Sequence, residues 1–304
     1  FYSHETEREW DFLAGAVRGL ARDGYPVSVA LVQDRKSVKD PARWRGFVDH
    51  VLSSVHGQVE YVEVAHAINR VKWGIWDFGE YRRMMEVIAG AVEKFPEVRF
   101  TGPACIDFDY PFVLAALNEL PGSFRFSAMS HHLYTDRRGA PENRQGPFSA
   151  LEKFAMAKAV AAFARFVENR FIVSEVNWPL KGTGEYSPVT SPYESPGTRS
   201  NDPSVTEDDY SDYMTRYLLI AAWSGMVDRV YWWRLAARGF GLVDDTDPLK
   251  WRERPAYAAL KHLLGLLGSG TYLFRYPCEN GIHILKFRVT GGREVCAAWS
   301  VCGK

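Results

Sequence analysis

Six short apolar runs, each followed by a helix-length amphipathic stretch, constrain this chain more than any single residue does. The runs fall at 26–32, 59–65, 98–106, 124–129, 170–176 and 227–233. Between and around them, helical periodicity is expected over 6–22, 42–55, 78–95, 111–120, 148–168, 204–223 and 255–267. The first of these places Trp10, Leu13, Val17 and Leu20 on one stripe of period 3.6. Ser204 and Glu207 have the spacing of a capping box at the start of the sixth. Phe171, Ile172 and Val173 show no polar alternation, which is how a parallel strand buried on both faces reads.

Strands alternating with helices build a parallel sheet, because each helix carries the chain back across the sheet to start the next strand. The expected fold class is therefore α/β, a (β/α)8 TIM barrel over 1–268. From 271 the pattern changes to alternating strands with Gly291 and Gly292 as a hairpin turn, so 269–304 is expected to be the start of a small β-rich appendage, an incomplete β-sandwich. A closed barrel has eight strands, whereas this sequence supplies six and a stub at Phe1. The first strand, its helix and most of the second are expected from residues outside this sequence or from another chain, since an open sheet edge invites aggregation.

Acidic and basic residues balance at 37 each, which argues against a nucleic-acid partner, whose sites show as a basic face. No apolar run approaches the length of a membrane span. The four cysteines show neither CxxC pairs nor His companions at metal-ligand spacing, so neither a metal nor a cofactor is predicted. Cys278, Cys296 and Cys302 lie close together in sequence, and a disulfide among them is left open. The opening Phe-Tyr-Ser-His-Glu shows neither an initiator Met nor a signal segment and leaves the compartment open.

Chemistry in a barrel of this kind sits at the C-terminal ends of the strands. Arg170-Phe-Ile-Val-Ser-Glu-Val-Asn-Trp-Pro179 drives one carboxylate, Glu175, out of such an end, with Trp178 beside it and a long Pro-, Gly- and Ser-rich loop, 181–203, after it. The alternative for Glu175 is a solvated strand end. The second strand is followed by a polar and aromatic loop, His66 to Asp77, that carries Asn69, Arg70, Lys72, Trp73 and Trp76. Its cations fit either an acidic glycan or ordinary solvated charges. The third strand ends in Asp107 and Asp109, which could instead cap a helix before Pro111.

Three strand ends together resemble the retaining glycoside hydrolases of the large TIM-barrel clan, in particular the families of β-xylosidases, α-iduronidases and bacterial exopolysaccharide hydrolases. Counted from the truncated second strand, Glu175 falls on strand seven, where that clan keeps its nucleophile. His131-His-Leu-Tyr134 resembles its strand-six motif, in which the Tyr hydroxyl contacts the nucleophile. Tyr231-Trp-Trp-Arg234 resembles its strand-eight aromatic platform beneath the innermost sugar. The resemblance implies a glycosidase acting on a complex or bacterial surface glycan without a cofactor. Glu175 would be the nucleophile, Tyr134 and His132 its supports, and Asn69, Trp73, Trp178, Trp232 or Trp233 the sugar contacts.

Strand four departs from that pattern. Where the clan reads Glu-x-Gly-Asn-Glu-Pro-Asn, this chain reads Glu63-Val-Ala-His-Ala-Ile-Asn69, so Ala67 stands at the acid/base position. A retaining reaction needs, about 5–5.5 Å from the nucleophile, a group that protonates the leaving oxygen and then activates water, and Ala can do neither. Three explanations stand open: His66 as acid/base, another carboxylate such as Glu63, Asp107 or Asp109, or a protein that binds a glycan without cleaving it. A transglycosylase is a further alternative. On an ideal strand His66 points away from the face of Ala65 and Ala67, His132 and Tyr134 share a face, and only one of Trp232 and Trp233 lines a pocket. Glu63, inside its strand, is expected to pair with a buried Arg.

Overall fold

The computed structural model describes residues 1–135, 139–183, 204–277 and 280–301. It divides into two compact units, one of Phe1–Leu133 with Met156–Ser174 and one of Tyr134–Ala155 with Glu175–Lys304. The described strands α-alternate as expected: α1 Glu7–Arg22, β1 Val27–Leu31, α2 Arg35–Lys39, α3 Pro41–Val55, β2 Val59–Val64, α4 Phe78–Lys94, β3 Phe100–Ile106, α5 Tyr110–Asn118, β4 Ala128–His132, α6 Ala150–Phe163 and β5 Phe171–Val176, then α7 Glu207–Ser224, β6 Arg229–Trp232 and α8 Pro255–Leu267. Six strands hydrogen-bond in the order β1-β2-β3-β4-β5-β6, and the paired strands for which registers are defined run parallel. This is the α/β barrel-type architecture that the alternation predicts.

In the first unit local chemistry sets the element boundaries. Thr6 accepts from the Glu9 amide while Glu9 accepts from the Thr6 amide, so a reciprocal capping box starts α1. Asp77 caps α4 in one direction only, its side chain accepting from Glu80 N–H. Asp34 caps the short helix α2, its side chain accepting from Ser37 N–H. The strand expected at 124–129 enters the ladder only at Ala128. Before it, the Phe124 and Phe126 rings meet edge to face at 5.0 Å as core, and Phe126 makes a single bridge to Val167. The ladder consequently runs on through His131 and His132, pairing Ser130 with Ile172 and His131 with Val173 of β5.

In the second unit α7 and α8 share a core with an antiparallel sheet of β9 Thr271–Arg275, β10 Ile282–Arg288 and β11 Glu294–Ser300, through Leu219, Leu285 and Phe287. The 3-10 turn at Thr290–Gly292 joins β10 to β11 at the predicted Gly-Gly hairpin. A two-stranded ribbon, β7 Val243–Asp244 and β8 Arg252–Glu253, precedes α8. Arg254 organises the connection, donating to the carbonyls of Ala237, Arg238 and Gly241 and pairing with Glu207 and Asp244. Gly241 is required there, because a Cβ would lie 2.2 Å from Ala237 N. No described helix is long and apolar enough to cross a membrane. Cys105 and Cys296 are free thiols; Cys278, Cys302 and most of the 181–203 loop lie outside the described residues.

Candidate active site

The first unit gathers its polar groups where β2 and β4 end. β2 stops at Val64, and the chain then leaves extended geometry, with Ala65 at φ 66° and Ala67 at φ 42° in the left-handed region. The ideal-strand expectation for His66 therefore fails: alternation does not govern a residue between two left-handed ones. Gln33, buried just beyond β1, fixes the turn instead. Its side-chain oxygen accepts from His66 N–H at 2.9 Å and its amide donates to His66 C=O at 2.9 Å.

The His66 ring consequently lies 4.5 Å from that of His132 and meets the edge of Trp73 at 4.2 Å. Glu63 Oε1 is 3.3 Å from His132 Nε2. Donor atoms of Glu63, His66 and His132 all lie within 4.8 Å of one another. Glu63 has no Arg partner among the described residues, contrary to the expected buried pair; its one ionic contact is His132. Burial opposes ionisation of Glu63, but the His132 contact, with smaller help from Ser130 and Ser174 hydroxyls, holds its carboxyl below the ordinary value. Neither hydroxyl nor Glu63 Oε2 completes a hydrogen bond of normal geometry. Burial first, then His132, Lys72 and the N-terminal ammonium push His66 well below its usual value, so its imidazole is neutral near pH 7.

The loop after His66 is held rather than loose. Asn69 spends its side chain on β3, accepting from Ile106 N–H and donating to Ile106 C=O and to Asp109. Asp109 occupies the N-cap of α5 without a side-chain capping bond, and Asp107, at φ 61°, accepts from Arg70 at 2.6 Å. His131 contacts the Asp107 carbonyl; burial, only partly offset by that contact, lowers its pKa to about 4. Arg35 donates to Gly74 C=O and Glu80 and covers the Trp76 ring at 3.7 Å, while Lys72 lies over Trp73. Gly74, at φ 96°, permits this, since a Cβ would stand 2.7 Å from Arg35 N. Arg70 and Arg35 are thus paired with carboxylates, while Lys72 stays exposed beside Trp73.

In the second unit Tyr134 donates its hydroxyl to Glu175 Oε1, and both side chains are buried. Glu175 is thus not a solvated strand end. Trp178, expected at the sugar, is fully buried: its indole N–H donates to Gly139 C=O and its ring stacks on Trp232 at 5.6 Å. A ring with both faces packed offers none to a ligand. Trp232 is also tied down, donating to Tyr210 Oη, which donates on to Phe240 C=O. Trp233 contacts Phe240 and Arg234 and is partly exposed. Sequence reasoning missed Gln33, Ser130, Ser174 and Tyr210. A signal for the last was present, since Tyr210, Tyr213 and Tyr217 repeat at helical spacing on α7, and all but Tyr213 are fully buried.

No protein-family model and no curated protein matches the sequence. Solved structures do. A GH39 enzyme from Xanthomonas axonopodis pv. citri superposes with a TM-score of 0.51 at 17% identity, over 81% of this chain and 51% of that one. A GH30 endoxylanase from Clostridium papyrosolvens gives 0.55 at 12% identity over 95% and 68%, and a family 5 glycoside hydrolase from Bacteroides vulgatus gives 0.51 at 13% over 93% and 72%. The fold is that of the TIM-barrel glycoside hydrolases. The chain spans about half the length of the GH39 structures it resembles.

Proposed function

We propose that this chain is a retaining glycosidase-like protein that hydrolyses a glycosidic bond in a complex or bacterial surface glycan, with Glu175 as the nucleophile. The observation that carries the reading is the buried Glu175 carboxylate at the end of β5 with the Tyr134 hydroxyl donating into it. A hydrogen bond there fixes which oxygen attacks the anomeric carbon. The step forms a glycosyl ester and releases the leaving oxygen, which takes a proton; water then cleaves the ester. Trp233, which is partly exposed and not hydrogen-bonded into the core as Trp232 is, is the sugar platform in this reading.

The proton-transfer role, with Ala67 at its usual position, falls to His66 one residue earlier. A neutral imidazole is ready to act as a base but must first be protonated to serve as the acid, so the reading favours substrates with good leaving groups. The residue pattern at Ala67 also favours a second reading, a glycan-binding protein that has kept the pocket and lost the proton donor.

Activated 2-fluoro glycosides decide between them, because their leaving group does not need a general acid. Incubation with a panel of such sugars is expected to leave a mass adduct on Glu175. Glycan binding in a calorimeter with no adduct from any sugar would sink the hydrolase reading and leave the binding protein.

A further inference from the structure

Glu63 and His66 lie close together at the end of β2, whereas His132 comes from β4, well removed in sequence. The fold nevertheless brings one carboxylate and two imidazoles to within 4.8 Å of one another. We infer that these three side chains form a binding site for a divalent transition-metal ion of the zinc, cobalt or nickel type.

Chemistry and geometry both point there. Two nitrogens and one carboxylate oxygen are the donor set of open metal sites, which keep a further position for water or substrate. Bonds of about 2.0–2.2 Å in a tetrahedral shell set donors roughly 3.3–3.6 Å apart. Glu63 Oε1 and His132 Nε2 already stand at 3.3 Å, and a small ring movement of His66 closes the remainder. Both ends are rigid where a site needs rigidity. Glu63 and His132 sit on β2 and β4 of one sheet, with β3 between them, and Gln33 grips the His66 backbone from both sides.

The surroundings also suit a bound cation. Glu63 is 9% exposed, and its Oε2 has no hydrogen-bond partner. Among the described residues no Arg or Lys pairs with it. A buried carboxylate in that state is costly, and an ion supplies the missing charge. The unpartnered hydroxyls of Ser130 and Ser174 beside Glu63 can orient the carboxylate, as supporting groups around metal ligands do.

The inference does not rest on the glycosidase reading, but the two meet at His66. A nitrogen that binds the ion cannot also carry the transferable proton, so an occupied site hands that role to another group.

The test uses the untagged chain, stripped with a chelator and titrated with Co²⁺ and Zn²⁺. One ion per chain is expected, with visible Co²⁺ absorption of a low-coordinate site and a rise in Tm that Zn²⁺ reproduces. Glu63→Gln and His132→Asn are each expected to weaken binding by more than the roughly 10–100-fold that losing a supporting hydrogen bond costs. Zinc X-ray absorption on the unsubstituted protein needs no variant, and scattering from two imidazoles is expected. Absence of a bound ion, a shell without imidazole, or binding that survives both substitutions would overturn the proposal. Glu175→Gln is expected to bind the ion as the unsubstituted chain does, so failure of the metal site and failure of the nucleophile assignment are read separately.

Discussion

Gln33 holds both backbone hydrogen-bonding groups of His66, accepting from its N–H and donating to its C=O, each at 2.9 Å. One amide side chain thereby does for a left-handed turn what a neighbouring strand does for an extended one. Gln33→Met preserves volume and strands both backbone groups, at about 1–3 kcal/mol apiece. Urea denaturation is expected to show that loss, and the His66 imidazole resonances to broaden. Unchanged stability together with an unmoved His66 spectrum would mean that the turn holds itself.

Tyr134→Phe removes only the hydroxyl that meets Glu175. A hydrogen bond to a charged group contributes about 1.5–3 kcal/mol, which corresponds to a rate loss of roughly 10–150-fold if the bond is used in the reaction. The expected result is slower labelling by a 2-fluoro glycoside with Tm little altered. Labelling at the unsubstituted rate would confine Tyr134 to packing.

Arg254 is the anchor of the second unit's connection, with three carbonyls and two carboxylates on one buried guanidinium. Arg254→Met removes one donor from each of those groups and the buried charge that Glu207 and Asp244 pair with, and is expected to cost about 3–5 kcal/mol in chemical denaturation. Arg254→Lys is expected to recover only part of it, because an ammonium cannot fork to five acceptors. Full recovery by Lys would show that charge alone matters there.

The same network sets a dependence on acid. Burial opposes ionisation of Asp244, but bonds from Thr246 and the nearby Arg254 and Arg252 outweigh it and hold the carboxyl at about 2, against an ordinary 3.8. Glu207 is likewise lowered, first by Arg252. Both groups bind protons more weakly folded than unfolded, so their stabilisation is complete above the ordinary carboxyl values and fades as pH falls toward about 2. Tm measured from pH 5 to 2 is expected to fall less steeply for Asp244→Asn than for the unsubstituted chain. Parallel curves would remove Asp244 from the account.

Much of the fold was legible because strand and helix periods are written directly into the order of apolar residues. The alternation, the Gly291–Gly292 hairpin and the helix of 255–267 all appear where periodicity places them. The displacement of β4 to Ala128–His132 was not legible, because Phe124 and Phe126 suit a core as well as a strand and only packing decides. At the site, Glu175 could be read from its position after an apolar run. The Glu63, His66 and His132 cluster could not, since His132 reaches the other two only from β4, two strands further along the sheet, and His66 faces them through a backbone conformation that Ala65 and Ala67 give no hint of. Trp178 shows the converse: an aromatic beside a carboxylate suggests a ligand platform, whereas burial makes it core.

The left-handed backbone at Ala67 also bears on repair by design. Ala67 is fully buried at φ 42°, so placing Glu at this position would put a long charged side chain into packed surroundings on a turn that disfavours any Cβ. Residue 67 is therefore a hinge of chain direction before it is a locus for chemistry. Gly is the substitution the backbone welcomes there, relaxing the turn, whereas a carboxylate requires the turn itself to be rebuilt as a strand.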